Sequence, residues 1–214
     1  MSVEKLADLR QDYRGTPLLE SGASQDPITQ FKVWFDQAAE AQVPEPNAMT
    51  LATVGLDGTP AVRVVLLKGV GDDGFTFFTN YTSQKGREIE ANPRVSLCFW
   101  WAEVARQVRV VGVASRCSRQ RSAEYFSSRP RGSQLGAWAS EQSSVIADRA
   151  LLSAKMGELE ERFGDGPVPL PDFWGGFTVA PESLEFWQGQ SSRLHDRLRY
   201  RREGASWLRE RLSP

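Results

Sequence analysis

The chain has 214 residues, 40% of them hydrophobic and 25% charged, as in ordinary soluble domains. Its formal net charge of -1 argues against general affinity for nucleic acid, and no apolar run approaches the roughly 20 residues that span a bilayer. The charged N-terminus lacks the apolar core of a signal peptide. Cys98 and Cys117 lie far apart in no metal-binding spacing. We therefore expect one domain over residues 1–214, with free thiols in a reducing compartment, most simply the cytoplasm.

The first half of the chain begins with helical patterns and then changes to strand patterns. Helices are predicted at residues 3–13, from Asp26-Pro27 to about Gln42, and at residues 83–90. Strands are predicted at residues 48–54, 61–68, 75–79, 94–101 and 107–115.

The second half contains two more predicted helices, at residues 119–127 and 147–163, joined by a Pro/Gly/Ser-rich connection. Strands are predicted after them at residues 176–179, 184–187, 193–200 and 207–212. Many short strands with a few helices between them favour a mainly β fold with flanking helices, arranged as a barrel.

The only histidine of the chain, His195, lies between two arginines at every second position. If this run is a strand, Arg193, His195 and Arg197 share one face, and Leu194 and Leu198 share the other. Two guanidiniums beside an imidazole suit a planar anionic ligand. A solvated edge strand explains the pattern equally well by itself.

Two further stretches carry basic residues. Arg63 and Lys68 are an odd number of residues apart, so an unbroken strand would place them on opposite faces. They could then bind two separate anions, or they could be ordinary charges at the ends of an apolar strand. Ser83 and Lys85 at a helix N-terminus suit a phosphate, although such termini are common.

A phosphate site is also predicted around the Pro130 break. Tyr125 and Arg129 lie four residues apart on one helix face, and Pro130 then forces the chain out of the helix, so that Ser133 follows in a loop. A phenol, a guanidinium and a hydroxyl that converge would bind a phosphate dianion. Solvated arginines at a helix end are the alternative.

Other polar residues and several missing motifs narrow the chemistry. Gln107 is an amide in a probable core strand, where it requires a partner from the backbone or from a heterocyclic ligand. The sequence has no His–Cys cluster, no Walker loop, no Gly-rich dinucleotide motif and no G-x-S-x-G elbow, so hydrolysis is not expected.

Taken in order, RVVLLK, YFSSRPRGSQLGAWAS, EQSS, PDFWGG, EFWQG and RLHDR resemble the pyridoxine/pyridoxamine 5′-phosphate oxidase family, from about Leu9 to the final RLSP. The resemblance implies a homodimeric split β-barrel with FMN at the subunit interface. It also implies oxidation of pyridoxamine 5′-phosphate and pyridoxine 5′-phosphate to pyridoxal 5′-phosphate. Oxygen would accept the electrons to give hydrogen peroxide, and the amine would release ammonia.

The same resemblance implies a set of cofactor-binding residues. Arg63 and Lys85 would hold the FMN phosphate, and Gln142 and Ser143 would come from the partner subunit. Gln84 stands where many members carry arginine next to the lysine, which predicts either a somewhat lower affinity for the FMN phosphate or another cation in its place. The remaining FMN-binding positions implied are Val64, Val65, Leu66, Leu67, Lys68, Phe78, Thr79, Gln107, Trp187 and Arg197.

The resemblance also implies a substrate site. The substrate phosphate would be held by Lys68, Tyr125, Arg129 and Ser133. Arg193 and His195 would close over the pyridine ring as the catalytic candidates. Residues 1–25 would form a flexible lid, in which Arg10 and Tyr13 contact the substrate.

Three rival functions were weighed against this one. A flavin reductase with the same fold would leave YFSSRPR and RLHDR without a purpose. A non-catalytic module that stores FMN or pyridoxal phosphate would release no peroxide. Nucleic-acid binding through the seven arginines between Arg193 and Arg211 is opposed by the interleaved acids Asp196, Glu203 and Glu210.

Overall fold

The computed structural model describes residues 12–214, so the helix predicted at residues 3–13 lies almost wholly outside the described residues. The helices are α1 (Pro27–Glu40), α2 (Gln84–Ala91), α3 (Arg119–Ser128), α4 (Arg131–Ala139) and α5 (Ala150–Phe163). The strands are β1 (Ala48–Val54), β2 (Pro60–Leu66), β3 (Gly69–Gly71), β4 (Gly74–Asn80), β5 (Arg94–Trp101), β6 (Arg106–Arg116), β7 (Trp174–Gln188), β8 (Asp196–Glu203) and β9 (Ser206–Arg211). No described helix is long and apolar enough to cross a membrane.

All the described strands belong to one sheet, in the order β2-β1-β5-β6-β7-β4-β3, and β8 pairs with both β7 and β9. β7 is a continuous strand of 15 residues rather than the two short strands predicted. Its first half pairs antiparallel with β4, and its second half pairs antiparallel with β8. A mainly β fold with flanking helices is therefore confirmed.

The helices begin where the sequence supplies caps. Asp26 accepts a hydrogen bond from the Thr29 amide at the start of α1, and Ser83 does the same for Gly86 at the start of α2. Gly86 is required there, because a Cβ atom would lie 2.2 Å from the Tyr81 carbonyl oxygen. The α2 terminus is thus held against the end of β4.

The helix α4 was not predicted from the sequence. Pro130 does end α3, since Arg129 has an extended ψ of 148°. However, Pro130 also provides the fixed φ with which a new helix can start, and the chain re-enters a helix at Arg131. Ser133 therefore lies in α4 and not in a loop.

The chain divides into two compact units. Unit 1 comprises residues 1–50, 97–111 and 181–214. Its core packs α1 against the sheet through Phe31, Trp34, Phe99 and Phe186, all of which are at most 3% exposed.

Unit 2 comprises residues 51–96 and 112–180. In its sheet, Phe77 of β4 lies directly opposite Phe177 of β7, and both are fully buried. A second cluster contains Phe126 of α3, Leu135 of α4 and Trp174 at the start of β7. This cluster fixes the helices that carry the predicted phosphate-binding residues.

Candidate active site

Unit 2 contains a cavity of about 490 Å³ with two groups of cationic side chains. It lies within the size range typical of small-molecule sites. Most of the residues implied for FMN or for the substrate phosphate line it. The lining residues are Arg63, Val64, Val65, Leu66, Lys68, Phe78, Thr79, Asn80, Lys85, Tyr125, Arg129, Gln142 and Trp174.

Lys85 and Gln142 form the first polar group. The Lys85 ammonium donates to Gln142 Oε1 at 2.9 Å and to Ser83 Oγ at 3.4 Å, and the Thr79 hydroxyl also donates to Gln142 Oε1. Burial, and then the nearby charge of Arg63, lower the pKa of Lys85. Two cations held close together in a partly dry site favour an anionic ligand.

The second group is built on a stack of aromatic rings. The rings of Phe78 and Tyr125 lie 4.0 Å apart and almost parallel, and Trp174 continues the stack 5.7 Å from Phe78. The Arg129 guanidinium lies 4.7 Å from the Trp174 ring, and the Lys68 ammonium lies 6.0 Å from the Tyr125 ring. Flat apolar surfaces and two cations are thus combined in one wall.

Arg129 has an unfilled hydrogen-bonding position. Its Nη1 is buried, and among the described residues no acceptor contacts this atom. Burial lowers the pKa of the guanidinium, which records the cost of holding its charge there. A buried donor without a partner is rare in native proteins and indicates a ligand acceptor. A smaller adjoining cavity of about 230 Å³ is lined by both Arg129 and Ser133.

Unit 1 contains an aromatic cluster around the single histidine. The ring centroid of Trp187 lies 4.6 Å from that of His195, and Tyr13 lies 5.8 Å and 5.9 Å from these two rings. Gly189 makes room for this packing, since a Cβ atom would lie 2.7 Å from the Tyr13 ring. Trp100 completes the cluster 5.9 Å from Trp187.

Comparison with known proteins supports one family over almost the whole chain. A family model described as pyridoxamine 5′-phosphate oxidase matches residues 35–163, and one described as the pyridoxine 5′-phosphate oxidase C-terminal dimerisation region matches residues 174–214. The chain belongs to the pyridoxamine 5′-phosphate oxidase family. Its recognition from the sequence is confirmed.

Individual relatives agree with this family. The pyridoxine/pyridoxamine 5′-phosphate oxidase of Thermosynechococcus vestitus is 57% identical over 99% of this chain and 100% of its own. That of Rubrobacter xylanophilus is 57% identical over 98% of this chain and 96% of its own. Both comparisons run essentially from end to end.

Solved structures of relatives confirm the split-barrel fold. PhzG from Burkholderia lata, solved with tetrahydrophenazine-1-carboxylic acid, has a TM-score of 0.87 at 33% identity over 94% of this chain and 99% of its own. A pyridoxamine 5′-phosphate oxidase-related, FMN-binding protein from Nostoc punctiforme has a TM-score of 0.72 at 17% identity over 89% of this chain and 100% of its own. The second likeness concerns the fold alone.

In this member of the oxidase family, the strand predicted to continue to Lys68 ends earlier, so the condition for placing Arg63 and Lys68 on opposite faces is not met. β2 ends at Leu66, and the Lys68 amide instead donates to the Thr76 carbonyl of β4. Because the strand is interrupted between the two residues, the period-two rule does not apply, and both line the same cavity.

Three residues of unit 2 implied for FMN are not among those lining this cavity. Leu67 is buried, with 7% of its surface exposed, and Ser143 is an exposed turn residue with a φ of 73°. The side-chain amide of Gln84 donates from Nε2 to Glu88 Oε1 at 2.8 Å. Gln142, which the resemblance assigns to the partner subunit's side of the site, contacts Lys85 and Thr79 of its own chain.

The prediction of one strand face for Arg193, His195 and Arg197 was also wrong. β8 begins only at Asp196, and Ser192 and Arg193 have positive φ values of 54° and 62°. Arg193 is exposed in the turn, whereas His195 packs on Trp187. Two consecutive left-handed residues turn the chain, so alternation cannot extend back from the strand.

Arg197, Gln107 and Arg10 complete the positions implied for this family. Arg197 of β8 lies opposite Trp187 in the sheet register and donates to Glu185 Oε1 at 2.8 Å. Gln107 lies partly exposed on β6. Arg10 lies outside the described residues.

Four residues at these sites were missed by the sequence reasoning. They are Asn80, Trp174, Trp100 and Glu88. Trp174 belongs to the PDFWGG motif, so a signal for it was present. The sequence contains no such signal for Glu88, because a single acid in a helix is usually exposed to solvent.

We expect the imidazole of His195 to titrate below its usual 6.5, because burial and then the positive charge of Arg193 disfavour the imidazolium. Its Nδ1 accepts a hydrogen bond from the backbone N–H of Gln190 at 3.1 Å, which requires an unprotonated Nδ1. The contribution of the neutral His195 imidazole to the free energy of unfolding is therefore fully present above about pH 6.5 and is lost as the pH falls toward the pKa of His195 in the folded protein.

Nuclear magnetic resonance can follow this pKa directly in the flavin-free protein, since the chain has one histidine. Replacing Arg193 with glutamine should raise the pKa by removing a nearby positive charge. Titration of the wild-type imidazole at or above 6.5 would contradict this description of the cluster.

Proposed function

We propose that this protein oxidises pyridoxamine 5′-phosphate and pyridoxine 5′-phosphate to pyridoxal 5′-phosphate with bound FMN. Family membership makes it an oxidoreductase of this type. The amine reaction consumes oxygen and water and yields pyridoxal 5′-phosphate, ammonia and hydrogen peroxide. The alcohol reaction consumes oxygen and yields pyridoxal 5′-phosphate and hydrogen peroxide.

The observation that carries this proposal is the buried Nη1 of Arg129 in the wall of the cavity, for which residues 12–214 supply no acceptor. A phosphate oxygen is the acceptor that best matches a guanidinium held beside a lysine and a phenol. Lys68, Tyr125, Arg129 and Ser133 are accordingly the proposed grip on the substrate phosphate. Lys68 lies at the Tyr125 ring, and Ser133 lines the adjoining cavity with Arg129.

The residues of this chain also fit FMN. The first polar group, in which Lys85 lies near Arg63, suits its phosphate, and Val64, Val65 and Leu66 supply an apolar wall for a flat ring. Arg63 donates to the carboxylate of Glu88, and Lys85 donates to the side-chain oxygen of Gln142. Both cations are therefore held in place before FMN binds. When bound, FMN would supply an isoalloxazine ring that accepts a hydride from C4′ of the substrate.

The chain itself binds and orients the reactants. Two separate phosphate grips act at a distance from the reacting carbon, so their binding energy can hold the two rings in alignment. We assign Arg193 and His195 to the pyridine ring. Because Nδ1 accepts from the backbone N–H of Gln190, the Nε2 proton of His195 remains as the donor to the substrate hydroxyl.

The proposed assembly is a homodimer, for which the matched C-terminal dimerisation region is the support. The FMN-binding set would be completed at the subunit interface by Trp187, Arg197 and Gln107. Residues 1–25, with Arg10 and Tyr13, are proposed as the lid. The cytoplasm is the proposed location, since Cys98 and Cys117 are both free thiols.

An anaerobic experiment tests this function. Pyridoxamine 5′-phosphate is added to the FMN-loaded protein, and the absorbance of oxidised flavin is followed. We expect rapid bleaching that is reversed when air is admitted. A flavin that stays yellow while the substrate is bound would refute the oxidase function and leave a storage module or a different electron donor.

A further inference from the structure

Glu88 on α2 is a buried acid that does not line the cavity but contacts Arg63, which does. Its side chain faces away from solvent, with 9% of the residue exposed, and it is not among the lining residues. Glu88 Oε2 accepts from Arg63 Nη2 at 2.9 Å and from Thr53 Oγ1 at 2.5 Å. Glu88 Oε1 accepts from the Gln84 amide.

We propose that Glu88 is a positioning residue that orients Arg63 toward the phosphate of FMN. This inference rests on the proposed function, because it takes Arg63 as a phosphate ligand. Glu88 acts through Arg63 and does not itself touch the cofactor.

The contacts of Arg63 show how the orientation is fixed. Its Nη1 donates to Thr53 Oγ1 and, at 3.4 Å and 3.3 Å, to the carbonyls of Leu51 and Ala61. Its Nη2 donates to Glu88. These contacts leave the Nε proton and one Nη2 proton for a ligand in the cavity. A free arginine would lose much rotamer freedom on binding, whereas this one is ordered beforehand.

Glu88 stays ionised in this buried position. Burial by itself would raise its pKa, but the hydrogen bonds from Thr53, Gln84 and Arg63 outweigh burial, and the pKa is lowered. The carboxylate therefore remains a charged acceptor for Arg63 at neutral pH.

Gln84 explains why Glu88 forms a salt bridge with a single cation in the described part of the chain. It lies one helical turn before Glu88 and occupies Oε1 with a neutral amide. An arginine at this place, as the family resemblance implies for many members, would share the carboxylate with Arg63. Among the described residues, the ion pair of Glu88 is with Arg63, although its charge also acts on Lys85 at longer range.

The test compares binding of FMN with binding of riboflavin, which is FMN without its phosphate, by quenching of flavin fluorescence. Glu88→Met keeps the side-chain length but has no strong acceptor. We expect its Kd for FMN to rise about tenfold, the effect of losing one charge-assisted hydrogen bond, with the Kd for riboflavin unchanged. Glu88→Gln, whose amide oxygen still accepts from Arg63, should restore FMN binding to within about threefold of wild type.

Glu90→Ala is the matched control. This acid also lies on α2 and pairs with an arginine, Arg116, at 2.6 Å, but it is exposed and makes no contact with Arg63. Its Kd for either flavin should not change. Should Glu88→Met fail to fold, Glu88→Ser carries the same expectation, because it also removes the carboxylate and shortens the side chain.

Three results would overturn the role of Glu88. Equal weakening of FMN and riboflavin would make it a structural residue only. Tighter FMN binding by Glu88→Met would show that the Glu88 carboxylate repels the FMN phosphate. An unchanged FMN Kd would remove it from the site. If instead the wild-type protein fails to prefer FMN over riboflavin, the proposed phosphate site itself is wrong, and this inference is wrong with it.

Discussion

Replacing Arg129 with alanine should raise the KM for pyridoxamine 5′-phosphate about a hundredfold, as expected when a buried charge loses its partner. The variant removes the only described guanidinium with a buried, unpartnered nitrogen. Turnover at saturation should fall much less, because the grip lies away from the reacting carbon. Steady-state kinetics with peroxide detection measures both constants.

The dephosphorylated substrate provides the internal control for this variant. Pyridoxamine lacks the phosphate, so its kcat/KM should be the same for the wild-type protein and for Arg129→Ala. Arg162→Ala is the matched arginine control, because this guanidinium also lies over a tryptophan, 5.7 Å from the Trp138 ring, but is exposed. An unchanged KM for the phosphorylated substrate in Arg129→Ala would remove Arg129 from the substrate site.

Replacing Lys85 with methionine should weaken FMN binding about a hundredfold while leaving riboflavin binding unchanged. The ammonium is half-buried beside Gln142, and Arg63 is the second cation of its group. Removing one of two cations at a partly dry phosphate site takes away a charge-assisted hydrogen bond and its Coulomb attraction. Fluorescence quenching or equilibrium dialysis gives the two dissociation constants.

The pH dependence provides a second measurement on Lys85. Its pKa in the flavin-free protein is lowered from 10.5, so FMN affinity should decline with rising pH before an ordinary lysine would lose its proton. Lys85→Met should lose this decline, and Lys155→Met, which removes a lysine paired with Glu141 on the surface, should keep it. Equal loss of FMN and riboflavin affinity in Lys85→Met would show that the lysine supports the fold and not the phosphate.

The sequence predicted regular elements where neighbouring residues alone decide the conformation. β1 and β5 have the predicted bounds, and α1 begins at the predicted Asp26-Pro27 start. A cap or an alternating pattern acts over a few residues, so it can be read without knowing the fold. The motif SRPRGSQLGAW likewise identified the family from the chain alone.

The elements predicted from the sequence were wrong at two places where the chain changes direction. The pattern Arg193–Arg197 has the period of a strand, yet positive φ at Ser192 and Arg193 places the turn inside it. Pro130 stops one helix and starts another, and periodicity alone cannot tell a helix stop from a helix restart. In both places the backbone conformation depends on packing with distant elements.

The sequence by itself determined the family and the mainly β fold, and it predicted most of the cationic and aromatic residues that line the candidate site, because these depend on residue types and local spacing. The tertiary structure decided which of them meet. It brought Arg63 and Lys68 to one cavity, paired Glu88 with Arg63 although they lie 25 residues apart, and left one nitrogen of Arg129 without a partner among the described residues. Contacts between residues far apart in sequence depend on strand register and helix docking, which no local pattern encodes.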